Sequence, residues 1–173
     1  MKSYRKLLLY TSAFSVASGI FSPLYLVIIQ KIGGVEVFGV ALGLIVFAEG
    51  LTALSLGKYS DKYGDKTLLL FLSPLLAIGI LLYTLVSTPL ELYVLQLFNG
   101  ALLSLQQTTS MSYLGRVADN LTQGKQTGTW YGSRSMIVAL GMISSGYLAS
   151  LFGVDVVIYL SAAITLFSVI LLV

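Results

Sequence analysis

Six apolar runs, each about long enough to cross a bilayer, lie near residues 7–30, 37–57, 67–86, 91–113, 127–152 and 154–173. The hydrocarbon layer is about 30 Å thick and takes roughly 20 helical residues to span. A span meets no water, so its backbone must close its own hydrogen bonds, which it does as a helix. Composition agrees: of 173 residues, 57% are hydrophobic and 10% charged. Soluble domains carry about 25% charged residues. The expected fold is an all-α integral membrane protein, one multi-pass bundle of six transmembrane helices over residues 1–173. The last two crossings are the hardest to divide, since Gly153 and Asp155 alone separate them.

Charge sets the orientation. With the N-terminus in the cytoplasm, the inside segments collect Lys2, Arg5, Lys6, Lys58, Lys62, Lys66, Arg116 and Lys125, and the outside segments hold Lys31. Eight against one is a strong positive-inside bias. The basic residues therefore read as topology signals and membrane-lipid contacts in a plasma-membrane protein, and the net charge of +3 points to no nucleic acid. The first run continues from Leu7 to Ile29, too long for a cleaved signal peptide, so it reads as a signal-anchor helix. The sequon Asn120-Leu-Thr122 falls in an inside loop and carries no weight.

Cysteine and histidine are both absent, which excludes thiol catalysis and the usual zinc chemistry. Within the spans lies a single carboxylate, Glu49, too little for protease or transferase chemistry. No Gly-rich phosphate loop appears, so ATP-driven transport is not expected. The chain reads as no enzyme, with no cofactor and no metal.

Glycine spacing reveals a repeat. Shifted by 89 positions, Gly39, Gly43, Gly57 and Gly64 fall on Gly128, Gly132, Gly146 and Gly153. Helix 2 thus matches helix 5, including a G-x-x-x-G step and a G-x6-G turn. Three crossings separate the copies, so they run in opposite directions: two inverted three-helix repeats, residues 1–86 and 87–173. The second turn lost its charges, and Ser150 stands where Asp61 stands in the first.

Helix 1 carries Thr11, Ser12, Ser15, Ser18, Gly19, Ser22, Pro23 and Gln30 on one broad face. Helix 4 does the same with Gln96, Asn99, Gln106, Gln107, Ser110 and Tyr113. A polar group facing lipid without a partner costs several kcal/mol, so these stripes face a cavity or other helices. In helix 4, with two adjacent glutamines, they read as a water-lined path; in helix 1 the small hydroxyls fit packing equally well. Helices 3 and 6, almost purely aliphatic and aromatic, suit the lipid-facing periphery.

Two charges lie inside the membrane. Glu49 precedes Gly57 by eight residues and Arg134 follows Gln126 by eight. At 1.5 Å rise each is about 12 Å from the cytoplasmic end of its helix. Opposite sign at similar depth makes them a natural pair. Arg134 could instead snorkel to lipid phosphates, and Glu49 is the best candidate for carrying a proton.

Gly57-Lys-Tyr-Ser-Asp61-Lys62-Tyr-Gly64-Asp65-Lys66 resembles the loop between helices 2 and 3 of major facilitator superfamily transporters, written G-x-x-x-D-[RK]-x-G-[RK]-[RK]. Gly57, Asp61, Lys62, Gly64 and Lys66 fit, and Asp65 departs where a basic residue is expected. The resemblance implies a gate: Asp61 would meet the positive N-terminal end of a helix in the other half. Inverted triplets are also the plan of each six-helix half in that family. Two such halves clasp a central site, and helices 2 and 5 of one pack on the other. The packing glycines Gly39, Gly43, Gly128 and Gly132 suit that role. A second family feature, an Arg in helix 4 four residues before a Gly, is incomplete: Gly100 is present, but Gln96 replaces the Arg.

The expected function is secondary transport of a small solute by alternating access, with Gln96, Asn99, Gln106 and Gln107 along the solute path. The second half would be an identical chain, forming a parallel homodimer, or the missing C-terminal half of a longer protein. The alternative is a non-transporting membrane scaffold or partner subunit with the same half fold.

Overall fold

The computed structural model describes the backbone of residues 2–118 and 122–173, and their side chains apart from residues 2 and 55–63. Six helices follow one another: α1 Lys2–Ile32, α2 Gly34–Tyr63, α3 Asp65–Leu82, α4 Pro89–Val117, α5 Gln123–Phe152 and α6 Val154–Leu172. Their lengths run 31, 30 and 18 residues, then 29, 30 and 19. Long, long, short thus occurs twice. The long helices extend for about 45 Å, more than the hydrocarbon requires, so they tilt or project into the headgroups.

Among the described residues, five helices, all but α4, are long and apolar enough to cross a membrane. The amides and hydroxyls of α4 lower its hydropathy, but its path is fixed by its ends. Arg116, in its last turn, bonds Asp65 at the start of α3, while residues 83–88 join its start to the end of α3. It therefore lies antiparallel to α3 through the whole bundle.

Helix ends follow local chemistry. α4 begins at Pro89, two residues before the expected crossing, because Thr88 and Glu91 form a capping box. The Glu91 carboxylate accepts from the Ser87 and Thr88 N–H groups at 2.8 and 3.1 Å. α3 stops at Leu82, short of the expected 86, where the N–H groups of Tyr83, Thr84 and Leu85 turn to carbonyls three residues back. One glycine each divides α2 from α3 and α5 from α6: Gly64 at φ 81°, ψ 136° and Gly153 at φ 86°, ψ 154°. That region is essentially open to glycine alone. The two residues paired by the 89-position shift thus adopt the same backbone.

Packing repeats as well. α1 packs on α5 and α6, α4 packs on α2 and α3, and α3 meets α6. Exchanging α1 with α4, α2 with α5 and α3 with α6 leaves this set of neighbours unchanged. Small residues set both long crossings. Gly19 lies against the Val138 carbonyl and Gly141, and Gly100 lies against the Ile45 carbonyl and Ala48. Each crossing is tied by a serine: Ser145 Oγ donates to the Ile20 carbonyl at 2.6 Å and Ser104 Oγ to the Glu49 carbonyl at 2.9 Å.

The third helices are less peripheral than their composition suggests. Ser73, Ser161, Thr165 and Ser168 are buried and donate to their own helix carbonyls, which neutralises them between packed helices. The most open helices are α2 and α5, each held chiefly by one neighbour. They expose Phe47, Leu51 and Leu54, and Met136, Leu140, Ile143 and Tyr147. At one end of the bundle, Tyr4 OH donates to the Gln126 carbonyl, and Lys6 and Lys66 both reach the Val173 carbonyl. With the Asp65–Arg116 contact, this gathers the starts of α1, α3 and α5 and the ends of α4 and α6; Lys31 lies at the other end.

Candidate functional site

The α4 amides line two separate spaces. The first is a chamber of about 250 Å³ toward the Lys31 end, bounded by α1, α2, α3, α4 and Thr165 of α6. Its walls are mainly aromatic and aliphatic, with Gln96 and Asn99 as the amides and Ser18 and Ser22 as hydroxyls. Gln96 is buried between two tyrosines: its Oε1 accepts from Tyr83 OH at 2.8 Å, and its Nε2 donates to Tyr25 OH. The two tyrosine rings meet edge to face at 6.1 Å, and Phe21 packs on Tyr83 at 5.0 Å. Asn99 fills the space where a side chain at residue 79 would stand, and its Nδ2 donates to the Gly79 carbonyl at 3.4 Å. Only glycine at 79 permits that approach. Ser18 and Ser22 make no hydrogen bond among the described residues and remain available to a bound molecule. No formally charged side chain lines the chamber among the described residues.

The tight α2·α4 crossing at Gly100 comes next along α4. Beyond it, toward the basic end, an open cleft of about 520 Å³ runs along α2 and α4. Glu49, Ser104, Gln107 and Thr108 line it, with Gly50 and Met111. The side chains of Glu49, Gln107 and Thr108 have no hydrogen-bond partner among the described residues. Asn99 and Gln107 are eight positions apart, about 12 Å along the helix. Asn99 in the chamber and Gln107 in the cleft therefore fall on opposite sides of Gly100 along α4.

The remaining expected site residues distribute as follows. Gln106 is buried and lines neither space: its Nε2 donates to Ser110 Oγ at 3.4 Å, beside Tyr10. Thr11 and Ser15 donate to carbonyls of their own helix, so that part of the α1 stripe serves packing. Glu49 and Arg134 do not meet within the chain. The Arg134 guanidinium sits over the Trp130 ring, 5.6 Å from its centroid. Gly39, Gly43, Gly128 and Gly132 have nothing within 4 Å of where a Cβ would be, so these glycines face outward. Of the gating motif, Gly57, Asp61 and Lys62 lie outside the described side chains; Gly64 supplies the bend and Lys66 bonds Val173.

Three residues escaped the sequence reading. Tyr25 and Tyr83 carry no signal in the sequence, yet their hydroxyls hold Gln96. Asp65, a departure from the motif, is buried and pairs through Oδ2 with Arg116 Nε at 3.1 Å. Two charges of opposite sign at the same end of adjacent antiparallel helices were the available signal.

Comparison with known proteins agrees with the all-helical membrane fold. Residues 7–173 match the family model of the Major Facilitator Superfamily. The chain is 24% identical over 147 residues to the uncharacterized MFS-type transporter YitZ of Bacillus subtilis, covering 84% of this chain and 90% of that protein. It is 22% identical over 142 residues to the uncharacterized MFS-type transporter MJ1560 of Methanocaldococcus jannaschii, covering 82% of this chain and 37% of that protein. Matched over nearly its whole length to a family of membrane transporters, which are not enzymes, the chain belongs to the Major Facilitator Superfamily.

Proposed function

We propose that this chain is one half of a secondary transporter that moves a small solute by alternating access. One observation carries the reading: α4 presents free or chamber-facing polar groups on both sides of a single tight crossing. Rocking two halves about such a crossing would open the chamber to one side of the membrane and the cleft to the other. In this reading Gln96 and Asn99 shape the outer part of the path, held by Tyr25 and Tyr83, and Gln107 serves the inner part. Gln106 braces α4 from within. The uncharged chamber favours a neutral solute with an apolar body, which Ser18 and Ser22 would orient through its polar group.

The second half is an identical chain or a C-terminal half. The unfilled glycine faces of α2 and α5 support either, since both demand close packing against another bundle. The basic bias toward one end supports a cytoplasmic N-terminus, and the plasma membrane is the proposed location. Solute flux into proteoliposomes tests the site: Asn99→Leu and Gln107→Leu are each expected to lower a demonstrated flux at least about tenfold, the scale expected for removing a hydrogen bond from a solute path. Unchanged flux in both would end this assignment.

A scaffold reading draws on a different observation. The amides of Gln96 and Gln106 bond protein groups, as interhelical glue does. Under that reading, replacing Gln96 lowers bundle stability and no solute ever changes the melting temperature of the detergent-solubilised protein.

A further inference from the structure

We infer that the chamber selects apolar, ring-bearing solutes that carry a hydrogen-bond-accepting oxygen, such as a ketone, ester or ether, and that the Tyr25 hydroxyl is the donor that reads it. The inference rests on the reading that the chamber belongs to a solute path, and it names the class of solute.

The direction of one hydrogen-bond chain leads to it. Asn99 Nδ2 donates to the Gly79 carbonyl at 3.4 Å, and the same side chain hydrogen-bonds the Tyr83 hydroxyl. A phenol has one proton. Tyr83 gives its own to Gln96 Oε1 at 2.8 Å, so its bond with Asn99 is one it accepts. Gln96, with its oxygen engaged, presents Nε2 to Tyr25 and donates to that hydroxyl oxygen. Every step runs the same way, from Asn99 through Tyr83 and Gln96 to Tyr25. The Tyr25 proton is left over: it meets no acceptor among the described residues. Tyr25 lines the chamber with Gln96 and Asn99, so the chamber is where that proton can be used. A hydroxyl whose oxygen accepts a bond is also the stronger donor, since hydrogen bonds in a chain polarise one another.

The serines of the chamber set no such preference. Ser18, Ser22 and Tyr25 fall at i, i+4 and i+7 and share one stripe of α1. A serine on a helix can turn its proton back to a carbonyl of its own helix, as Thr11 and Ser15 turn theirs. The Tyr25 hydroxyl, at the far end of a ring, cannot reach its own backbone. Gln96 occupies its oxygen, so its role toward a solute is donation.

The other walls describe the body of the solute. Phe14, Phe21 and the two tyrosines supply rings, with Leu76 and Ile80 beside them. Lining residues without formal charge, among those described, offer an ionised solute no counter-charge. The volume of about 250 Å³ is just under the roughly 300–1,000 Å³ of sites for drug-sized ligands, which suits one or two rings.

Benzophenone and diphenylmethane test this, because they share two rings and differ in a carbonyl against a methylene. Benzophenone is also photoreactive and marks its own site. In lipid nanodiscs the parental protein is expected to be photolabelled at chamber residues. Unlabelled benzophenone is expected to compete about fivefold better than diphenylmethane, the scale of one net hydrogen bond. Tyr25→Phe keeps the ring; it is expected to lower benzophenone affinity about fivefold and that of diphenylmethane less than about twofold. A measurement on the unaltered protein guards against misfolding of that variant. Benzophenone isotope-labelled at its carbonyl carbon is expected to show, when bound, a lower carbonyl stretching frequency than in vesicles of the same lipid, the signature of an accepted hydrogen bond.

Equal affinity for the two probes, or an unshifted carbonyl stretch, overturns the acceptor preference. If benzophenone still labels the chamber in that case, the solute-path reading stands and its named class alone fails. No label on any chamber residue overturns the inference and removes the outer site from the transport reading with it. The expected preference, in a protein whose flux is unchanged by Asn99→Leu and Gln107→Leu, supports the binding site and ends the transport reading alone.

Discussion

The two three-helix units share a skeleton and differ in chemistry. Both run long, long, short; both break at a positive-φ glycine; both place a glycine of the first helix against a carbonyl of the other unit's second helix. Yet α4 carries buried amides where α1 carries hydroxyls, and the start of α3 carries a buried carboxylate paired with half-exposed Arg116 where the start of α6 leaves Asp155 exposed. Backbone geometry is thus the repeated quantity, and side-chain chemistry is free to diverge wherever it does not touch a crossing. The lesson is that glycines at the crossings hold the architecture while the polar groups between them set what it does.

The largest expected effect separates inward from outward glycines. Leucine at Gly19 or at Gly141 must displace backbone, and is expected to destabilise the bundle by about 3 kcal/mol in reversible unfolding in mixed micelles, the upper range for overpacking. Leucine at Gly43 or Gly132, where space is open, is expected to leave monomer stability unchanged and to weaken assembly instead. Equal losses at all four positions would break the distinction between the internal crossings and the outer faces.

A smaller effect sharpens the contrast between the two turns. Asp65→Asn removes the carboxylate contact to Arg116, whose side chain is 51% exposed. Solvent softens the loss, which is expected at about 1–2 kcal/mol, below the figure for a fully buried pair. Asp155→Asn, in the exposed first turn of α6, is expected to change the unfolding free energy by less than about 0.5 kcal/mol, as surface substitutions do.

An effect of similar size tests the symmetry itself. Alanine at Gly64 and at Gly153 forces a Cβ into the same glycine-only backbone region, and each is expected to cost about 1–2 kcal/mol. A clear inequality would mean that the two breaks, alike in dihedral angles, differ in how rigidly their surroundings hold them.

Much of this architecture was legible in the chain. Hydropathy and length located the six helices because a bilayer allows so few alternatives. The 89-position glycine shift pairs Gly64 with Gly153, which adopt the same backbone, as turns with positive φ leave glycine little competition. The crossings themselves were not legible: they use Gly19, Gly100 and Gly141, which the shift does not pair, because α1 and α4 meet their partners in a different register from the glycines of α2 and α5. Nor could spacing assign the four amides. A helical stripe shows that Gln96, Asn99, Gln106 and Gln107 share a broad face, but only packing shows that Gln106 turns inward to Ser110, and that a glycine crossing divides Asn99 from Gln107. Asp65 looked like a failed match to the motif because its meaning lies in Arg116, fifty-one residues later in the chain.

The central claim is that α4 lines an aqueous path on both sides of its crossing. Its most direct measurement is side-specific modification of single cysteines placed at Asn99 and Gln107, using a membrane-impermeant thiol reagent on oriented vesicles. The account predicts that the cysteine at 107 reacts from the cytoplasmic face and the one at 99 from the opposite face, in folded protein. Failure of both positions to react from either side would contradict it.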